Sequence, residues 1–355
     1  MTSSRLNLLL AAAPISWMLA ATTPGSSWIF LAAAISLIPL AGIIGLATEE
    51  LARRSGPAWG GFLNATFGNA AEMIIAVVAL HQGHLELVQA SITGSIVGNL
   101  LLVLGLSFFA GGLGRLSQKF HRTTANNSTS MLFLAVVALV MPAVFDLALY
   151  GTLDVLPPAI ESLSLGSAGV LIAAYIGSLL YAFTAHRDLF RSAPDARRHQ
   201  KPRLSAGQAG AMLAGATAVT TVQAELLVGA LQPALSAFGL TELFVGVIVI
   251  ATVGNAAEHY AAVAAARRDE MTLAVEIAVG SSAQIALFVA PALVLYSFAI
   301  GTPMSLLFDP FEIVAIALSV FATSMVVADG ESNWVEGLLL LAVYLILAMA
   351  FYYVP

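Results

Sequence analysis

Ala65-Thr66-Phe67-Gly68-Asn69-Ala70-Ala71-Glu72 recurs as Ala251-Thr252-Val253-Gly254-Asn255-Ala256-Ala257-Glu258, with seven of eight positions identical at an offset of 186 residues. The likeness extends beyond the octet. The same offset carries Gly94-Ser95 onto Gly280-Ser281. A second register, with an 11-residue insertion, carries Glu50-Leu51 onto Glu225-Leu226. The repeat therefore covers three consecutive segments of the chain, and self-similarity on that scale is a statement about architecture before it is one about chemistry.

The surroundings of the octets say which solvent they live in. Of 355 residues, 59% are hydrophobic and 10% charged, against about 45–50% and about 25% in soluble proteins. Mean hydropathy is +0.91. So few charges cannot cover a water-soluble globule of 36.8 kDa, and the composition predicts a polytopic membrane protein. It excludes a soluble enzyme, a nucleic-acid binder and a disordered chain. There is no cysteine, which removes disulfides, thiolate metal sites and cysteine nucleophiles.

A bilayer core needs roughly 20 apolar residues per helix. The predicted spans are 7–24, 27–48, 62–81, 86–110, 130–149, 168–186, 207–231, 242–264, 272–297, 311–328 and 334–353, eleven in all. Strand alternation of the outer-membrane barrel kind is absent. The first span, following Arg5 and ending near Ala20-Ala21, has a second reading as a signal peptide. With the N-terminus in the cytoplasm, all 14 Lys and Arg fall on inner loops, as the positive-inside rule asks. The C-terminus is then external. The expected outer loop 150–167 is acidic, with Asp154 and Glu161.

Five spans separate the two octets, so the copies must run in opposite directions. Two inverted halves are the plan of many secondary transporters, with the site near the midplane. The expectation is an all-α membrane protein of eleven helices. An extra N-terminal helix (1–26) precedes a first five-helix repeat (27–186), and a basic cytoplasmic linker (187–206) leads to a second five-helix repeat (207–355). The linker reads as a topology signal that divides the chain, with lipid-headgroup contact as the other reading.

Glu72 and Glu258 fall well inside their spans. A carboxylate in hydrocarbon is costly unless compensated, which makes it a candidate functional group. No Lys or Arg lies within a span, so the compensating cation must come from outside, as a metal ion or a proton. Asn69 and Asn255 each precede their acid by three residues and so are expected to share one helical face with it. Gly68, Ala70 and Ala71 permit close backbone approach, and glycine before asparagine weakens the helix, freeing carbonyls. Two carboxylates, two amides, carbonyls and water make an all-oxygen shell of the kind that hard cations, above all Ca²⁺, take. Ca²⁺ and protons would then displace one another at the two acids. Without cysteine or paired intramembrane histidines, soft-metal chemistry is disfavoured.

Further candidate ligands are Ser95 and Asn99, four apart, and Ser281 and Gln284, three apart, with interhelical packing as the alternative. Glu50 near one end of the second span and Glu225 near the far end of the seventh are expected at opposite mouths as entry or gating acids. The bland alternative makes them interfacial charges, with Glu49 and Glu50 pairing with Arg53 or Arg54. Glu276 has no counterpart in the first repeat, where Ala90 stands; it is a candidate ligand or proton relay. His259 follows Glu258 and is turned about 100° from it, so it is a candidate relay rather than a ligand.

The paired Gly68-Asn69-Ala70-Ala71-Glu72 and Gly254-Asn255-Ala256-Ala257-Glu258 resemble the signature of CAX-type cation/proton exchangers, within the calcium/cation antiporter superfamily. The resemblance spans nearly the whole chain. It implies alternating binding of Ca²⁺ and protons by the acids at 72 and 258, export or sequestration of cytosolic Ca²⁺ driven by protons, and no cofactor beyond the transported ions. His259 matches a histidine often found after the second motif. The central linker is commonly acidic in this family; here Asp188 and Asp195 stand against six bases.

The expected function is therefore an antiporter in a bacterial inner membrane, with Ca²⁺, protons and the lipid bilayer as its partners, and no nucleic acid. A homo-oligomer stays open. The alternative keeps the fold and changes the ion, with Na⁺ coupling or transport of Mn²⁺ or another cation. A channel and an intramembrane acid-dyad enzyme are the readings from other classes; no Gly-x-Ser-x-Gly or His-Glu-x-x-His motif supports hydrolysis.

Overall fold

Helix ends in this chain follow local capping chemistry. The computed structural model describes residues 6–55, 60, 63, 66–150, 158–184 and 203–354. Most of the linker, 187–202, lies outside them, as do Arg5, Ala65 and Asp154. A turn of 3₁₀-helix leads into α1 (Ala12–Thr22), and Ser26 caps α2 (Ser27–Ala52) by accepting the Trp28 N–H at 3.3 Å. Next come α3 (Ala70–His81), α4 (Leu85–Gly112), α5 (Arg122–Tyr150) and α6 (Pro158–Thr184). A Ser205/Gln208 capping box opens α7 (Ala206–Gly229), satisfying backbone donors that a helix start leaves orphaned. The short α8 (Leu231–Phe238) ends on left-handed Gly239, and Thr241 then caps α9 (Glu242–Gly254). The remaining helices are α10 (Ala256–Arg267), α11 (Met271–Ala299), α12 (Pro310–Val326) and α13 (Trp334–Tyr353).

Among the described residues seven helices are long and apolar enough to cross a membrane, or eight if α8 and α9, bent by 107°, count as one span. Three shorter apolar helices, Asn7–Thr22, α3 and α12, complete the set. Large apolar side chains stay exposed along the outer faces, among them Phe133, Met141 and Leu147 on α5 and Leu339, Ile346 and Met349 on α13. Water would penalise such faces; hydrocarbon does not.

Several predicted edges move. Helix α6 starts at Pro158, so most of the expected outer loop 150–167 that is described here is helical, with Glu161 in its first turn. Proline suits a first helical turn, and the Ser162 hydroxyl donates to the Pro158 carbonyl at 2.9 Å. Helix α5 likewise begins at Arg122, eight residues before the predicted span. The predicted eighth span, 242–264, is not one helix but α9 and α10, interrupted at Asn255.

The chain divides into two compact units that cut across chain order: Met1–Ser91, Pro194–Ala257 and Tyr352–Pro355 form one, Ile92–Ala193 and Glu258–Phe351 the other. In the first, α2 packs along α7, with α1 beside α2 and α3 beside α7. Ile44 of α2, Ala70 of α3 and Ala216 of α7 meet in its core, and the Ser16 hydroxyl of α1 donates to Gln223 of α7 at 2.8 Å. In the second, α5 packs on α11 and α12, and α6 on α11. Gly105 of α4 lies against Gly337 of α13 so closely that a Cβ on Gly105 would come 3.1 Å from the Gly337 carbonyl, the small-residue contact that membrane helices use. A two-residue strand pair, Gln118–Lys119 with Glu331–Ser332, joins the loops at one end of this unit.

Candidate functional site

Both octets break their helices at the same residue. In the first unit Asn69 stands in a turn just before α3, with φ −98° and ψ 24°, and its carbonyl accepts the Met73 N–H at 3.0 Å. Asn255 sits between α9 and α10 with nearly the same backbone, φ −86° and ψ 7°. Both asparagines are buried. The sequence-based picture of each asparagine and its glutamate on one face of a continuous helix is corrected by these breaks. The cause is local: glycine costs helix stability, and an asparagine side chain competes for backbone partners. The Asn255 amide does so directly, donating to the Ala251 carbonyl at 2.9 Å.

The break changes the electrostatics of each acid. Glu72 lies in the first turn of α3 and Glu258 in the first turn of α10. Helix N-termini present unsatisfied N–H groups and a partial positive charge. An intramembrane carboxylate placed there finds stabilisation that a mid-helix one lacks.

In the first unit, Glu72 rests against the second octet. A Cβ on Gly254 would lie 3.0 Å from Glu72 Cγ and 3.4 Å from Oε1, so glycine at 254 is what leaves room for the carboxyl. Thr66 and Thr252 are partly buried. In the second unit, Glu258 Oε2 accepts the Ser281 hydroxyl at 2.6 Å and the Asn99 amide at 3.4 Å. Asn99 belongs to a π-helical stretch, Gly98–Val103, inside α4. Gln284 immediately precedes a second one, Ile285–Val289, inside α11. The two stretches occupy equivalent places in the repeat, and π-helical turns recur at functional sites. Ser95 is buried on α4, and Gln284 is partly buried.

The outlying candidates diverge. Glu50 is buried at the end of α2, where its Oε2 accepts the backbone N–H of Arg203 at 2.8 Å and of Leu204 at 3.2 Å. Arg53 completes the arrangement through Glu50 at 3.4 Å and Glu49 at 2.7 Å. Arg54 donates to the Leu204 carbonyl. Its repeat counterpart, Glu225, is exposed on α7. Glu276 lines a narrow cleft with His121, Ser128 and Thr272, and His259 is partly buried one residue beyond Glu258.

Three polar groupings went unnoticed in the sequence. Glu312 is buried, accepts the Thr93 hydroxyl at 2.9 Å and closes the α12 capping box with Asp309. Its Asp309-x-x-Glu312 spacing was the available signal. His84 Nδ1 lies 3.0 Å from Glu242 Oε1, a pair 158 residues apart for which the sequence carries no signal. Asp146, inside the predicted span 130–149, is buried on α5.

Apolar-faced long helices with acids at the breaks of a duplicated motif define an integral membrane protein of the ion-transporter class. The chain belongs to the sodium/calcium exchanger protein family, whose profile matches residues 25–184 and 209–353. It is 42% identical over 372 residues to a Ca²⁺/H⁺ antiporter of Synechocystis sp., covering 100% of this chain and 99% of the relative. The Ca²⁺/H⁺ antiporter ChaA of Bacillus subtilis is also 42% identical, over 92% of either chain. Among solved structures, native YfkE matches with a TM-score of 0.84 and 39% identity, covering 98% of this chain and 99% of that one.

Proposed function

We propose that this protein exchanges Ca²⁺ for protons across a membrane by alternating access, with Glu72 and Glu258 binding the metal ion and the protons in turn. One observation carries the reading: the same Gly-Asn break places an acid in the first turn of a new helix twice, at Glu72 and at Glu258. Backbone N–H groups and the hydroxyl and amide of Ser281 and Asn99 favour the anionic carboxylate that Ca²⁺ needs; a proton neutralises it when the metal leaves. Asn69, Asn255, Ser95 and Gln284 are the further oxygen donors of the proposed ion pathway. His259 and Glu276 serve proton movement, and Glu225 serves ion entry. Relatives that are named Ca²⁺/H⁺ antiporters and align over nearly the whole chain support the choice of ions.

The architecture that goes with this reading is eleven spans in two inverted five-helix repeats, 27–186 and 207–355, after an extra helix within 1–26 and joined by the linker 187–206. The seven long helices and the three short apolar helices fall on ten of the eleven predicted spans, and α9 with α10 falls on the eighth, which supports it. The basic loops support a cytoplasmic N-terminus and an external C-terminus, in a bacterial inner membrane.

The test is radiolabelled Ca²⁺ uptake into proteoliposomes under an imposed pH gradient. Uptake that collapses when the pH gradient is dissipated and ignores a sodium gradient is expected. Uptake that follows sodium and ignores pH would sink the proton coupling while leaving the fold intact.

A further inference from the structure

Helix α12 supplies no side chain to the proposed ion pathway, yet it holds α4, which does, at two points. Its inward stripe carries three buried polar residues, Glu312, Ser319 and Thr323, while Val314, Leu318, Phe321 and Met325 occupy the opposite, exposed face. The Ser319 hydroxyl returns to its own helix, donating to the Ala315 carbonyl at 2.6 Å. The other two reach across to α4. Glu312 Oε1 accepts the Thr93 hydroxyl at 2.9 Å, and the Thr323 hydroxyl donates to the Leu100 carbonyl at 3.3 Å. Thr93, Leu100 and Thr323 are each 0% exposed.

These contacts bracket Ser95 and Asn99, the residues of α4 assigned to the ion. Thr93 and Leu100 are seven residues apart, about two turns, and so share one face. Ser95, two residues on from Thr93, is turned about 200° round the axis, onto the opposite side. Helix α12 therefore grips the back of the segment whose front carries the ligands. The backbone there is unusual. Gly98–Val103 is π-helical and packs against α12, and the Asn99 carbonyl accepts the N–H of Leu104, five residues on. Such turns are rare insertions in an α-helix, and in membranes hydroxyls from neighbouring helices satisfy the backbone groups that they free. Ser282 of α11 reaches the Ile96 carbonyl at 3.4 Å, while also donating to its own Ala278 carbonyl at 3.0 Å. Thr323 serves the carbonyl of the residue next to Asn99, whose amide in turn reaches Glu258 Oε2 at 3.4 Å.

We infer that Thr323, with Thr93 as its companion, is a positioning residue for Ca²⁺ binding: the two hydroxyl links to α12 set where Ser95 and Asn99 stand. The inference rests on the exchange reading above, which puts those two residues in the ion pathway. Thr323 is no ligand; it acts through the backbone one residue from Asn99. Losing its hydrogen bond leaves every ligand in place and loosens the geometry of one of them. Weaker Ca²⁺ binding at an unchanged maximal rate is the signature of that loss.

Initial rates of Ca²⁺ uptake into proteoliposomes, measured against Ca²⁺ concentration for the full-length protein, test the assignment. Thr323→Val keeps the shape and removes the hydroxyl. It should raise the KM for Ca²⁺ about fivefold, the worth of one neutral hydrogen bond, with the maximal rate near wild type. Thr323→Ser, which keeps the donor, should restore the wild-type KM. In an Asn99→Ala background Thr323→Val should change KM by less than about twofold, because coupled residues are not additive. Thr93→Val should act in the same direction and carries the test if Thr323→Val fails to fold. A wild-type KM in Thr323→Val overturns the inference. So does a lowered maximal rate at unchanged KM, or the same fivefold effect with Asn99 already removed. An Asn99→Ala protein with wild-type KM would instead overturn the placing of Asn99 in the ion pathway, and this inference with it.

Discussion

Glu72 and Glu258 start from the same eight-residue motif and the same broken backbone, one in each compact unit. Glu72 lies against the bare backbone of Gly254. Glu258 is gripped by a short hydrogen bond from Ser281 and a long one from Asn99. A duplicated motif can thus reproduce local conformation, because that is set within a few residues. The side-chain surroundings are set by whichever elements pack alongside: Gly254 leaves room for Glu72, and Ser281 and Asn99 donate to Glu258.

The comparison breaks most severely if either acid proves dispensable. Glu72→Gln and Glu258→Gln should each cut Ca²⁺ uptake in proteoliposomes by at least about a hundredfold, the effect of losing a charged ligand worth ~3 kcal/mol or more. Equal losses would say that the acids act as a pair. Ser281→Ala sharpens the contrast on the Glu258 side. It removes the donor that favours the anion, so protons compete better and the pH profile of uptake should move to more alkaline values by up to about one unit. Asn99→Ala, losing the longer bond, should move it less. An acid shift in either variant would contradict the arrangement.

On the Glu72 side the sensitive position is a glycine. Gly254→Ala puts a methyl 3.0 Å from Glu72 Cγ, and overpacking of ~1 kcal/mol would lower uptake about fivefold. Gly280→Ala, where a Cβ meets nothing within 4 Å, serves as the control and should leave uptake near wild type. The smallest effect concerns the second repeat-related pair, Glu50 and Glu225. Glu50→Gln weakens the capture of the Arg203 and Leu204 N–H groups and should lower thermal stability in detergent by ~1–2 kcal/mol. Exposed Glu225→Gln should stay within about 0.5 kcal/mol.

Glu50 and Glu225 also show where repeat symmetry misleads. Equivalent by register, they were expected as matched acids at opposite mouths. One caps backbone at the point where the chain returns into α7, and the other stands on an open helix face. The pairing with Arg53 was foreseeable from the three- and four-residue spacing; the bonds to residues 153 and 154 positions later were not. Asp146 falls inside the predicted span 130–149 but drew no reading there; the turn-by-turn burial of α5 shows it buried.

From the chain alone came the membrane solvent, the family resemblance, the duplicated octet and the acids at 72 and 258. All of these rest on composition or short-range pattern, and in such an apolar chain an intramembrane charge has few innocent explanations. The helix breaks at Asn69 and Asn255 and the early start of α6 have local causes that hydropathy windows overlook. Packing decided the rest: the hold of Ser281 and Asn99 on Glu258, the capture of the Arg203 and Leu204 N–H groups by Glu50, and the burial of Asp146. Those depend on which side chain reaches which donor or acceptor far along the chain. Hydrophobic periodicity gives no ordering among the faces of helices that are apolar nearly all round.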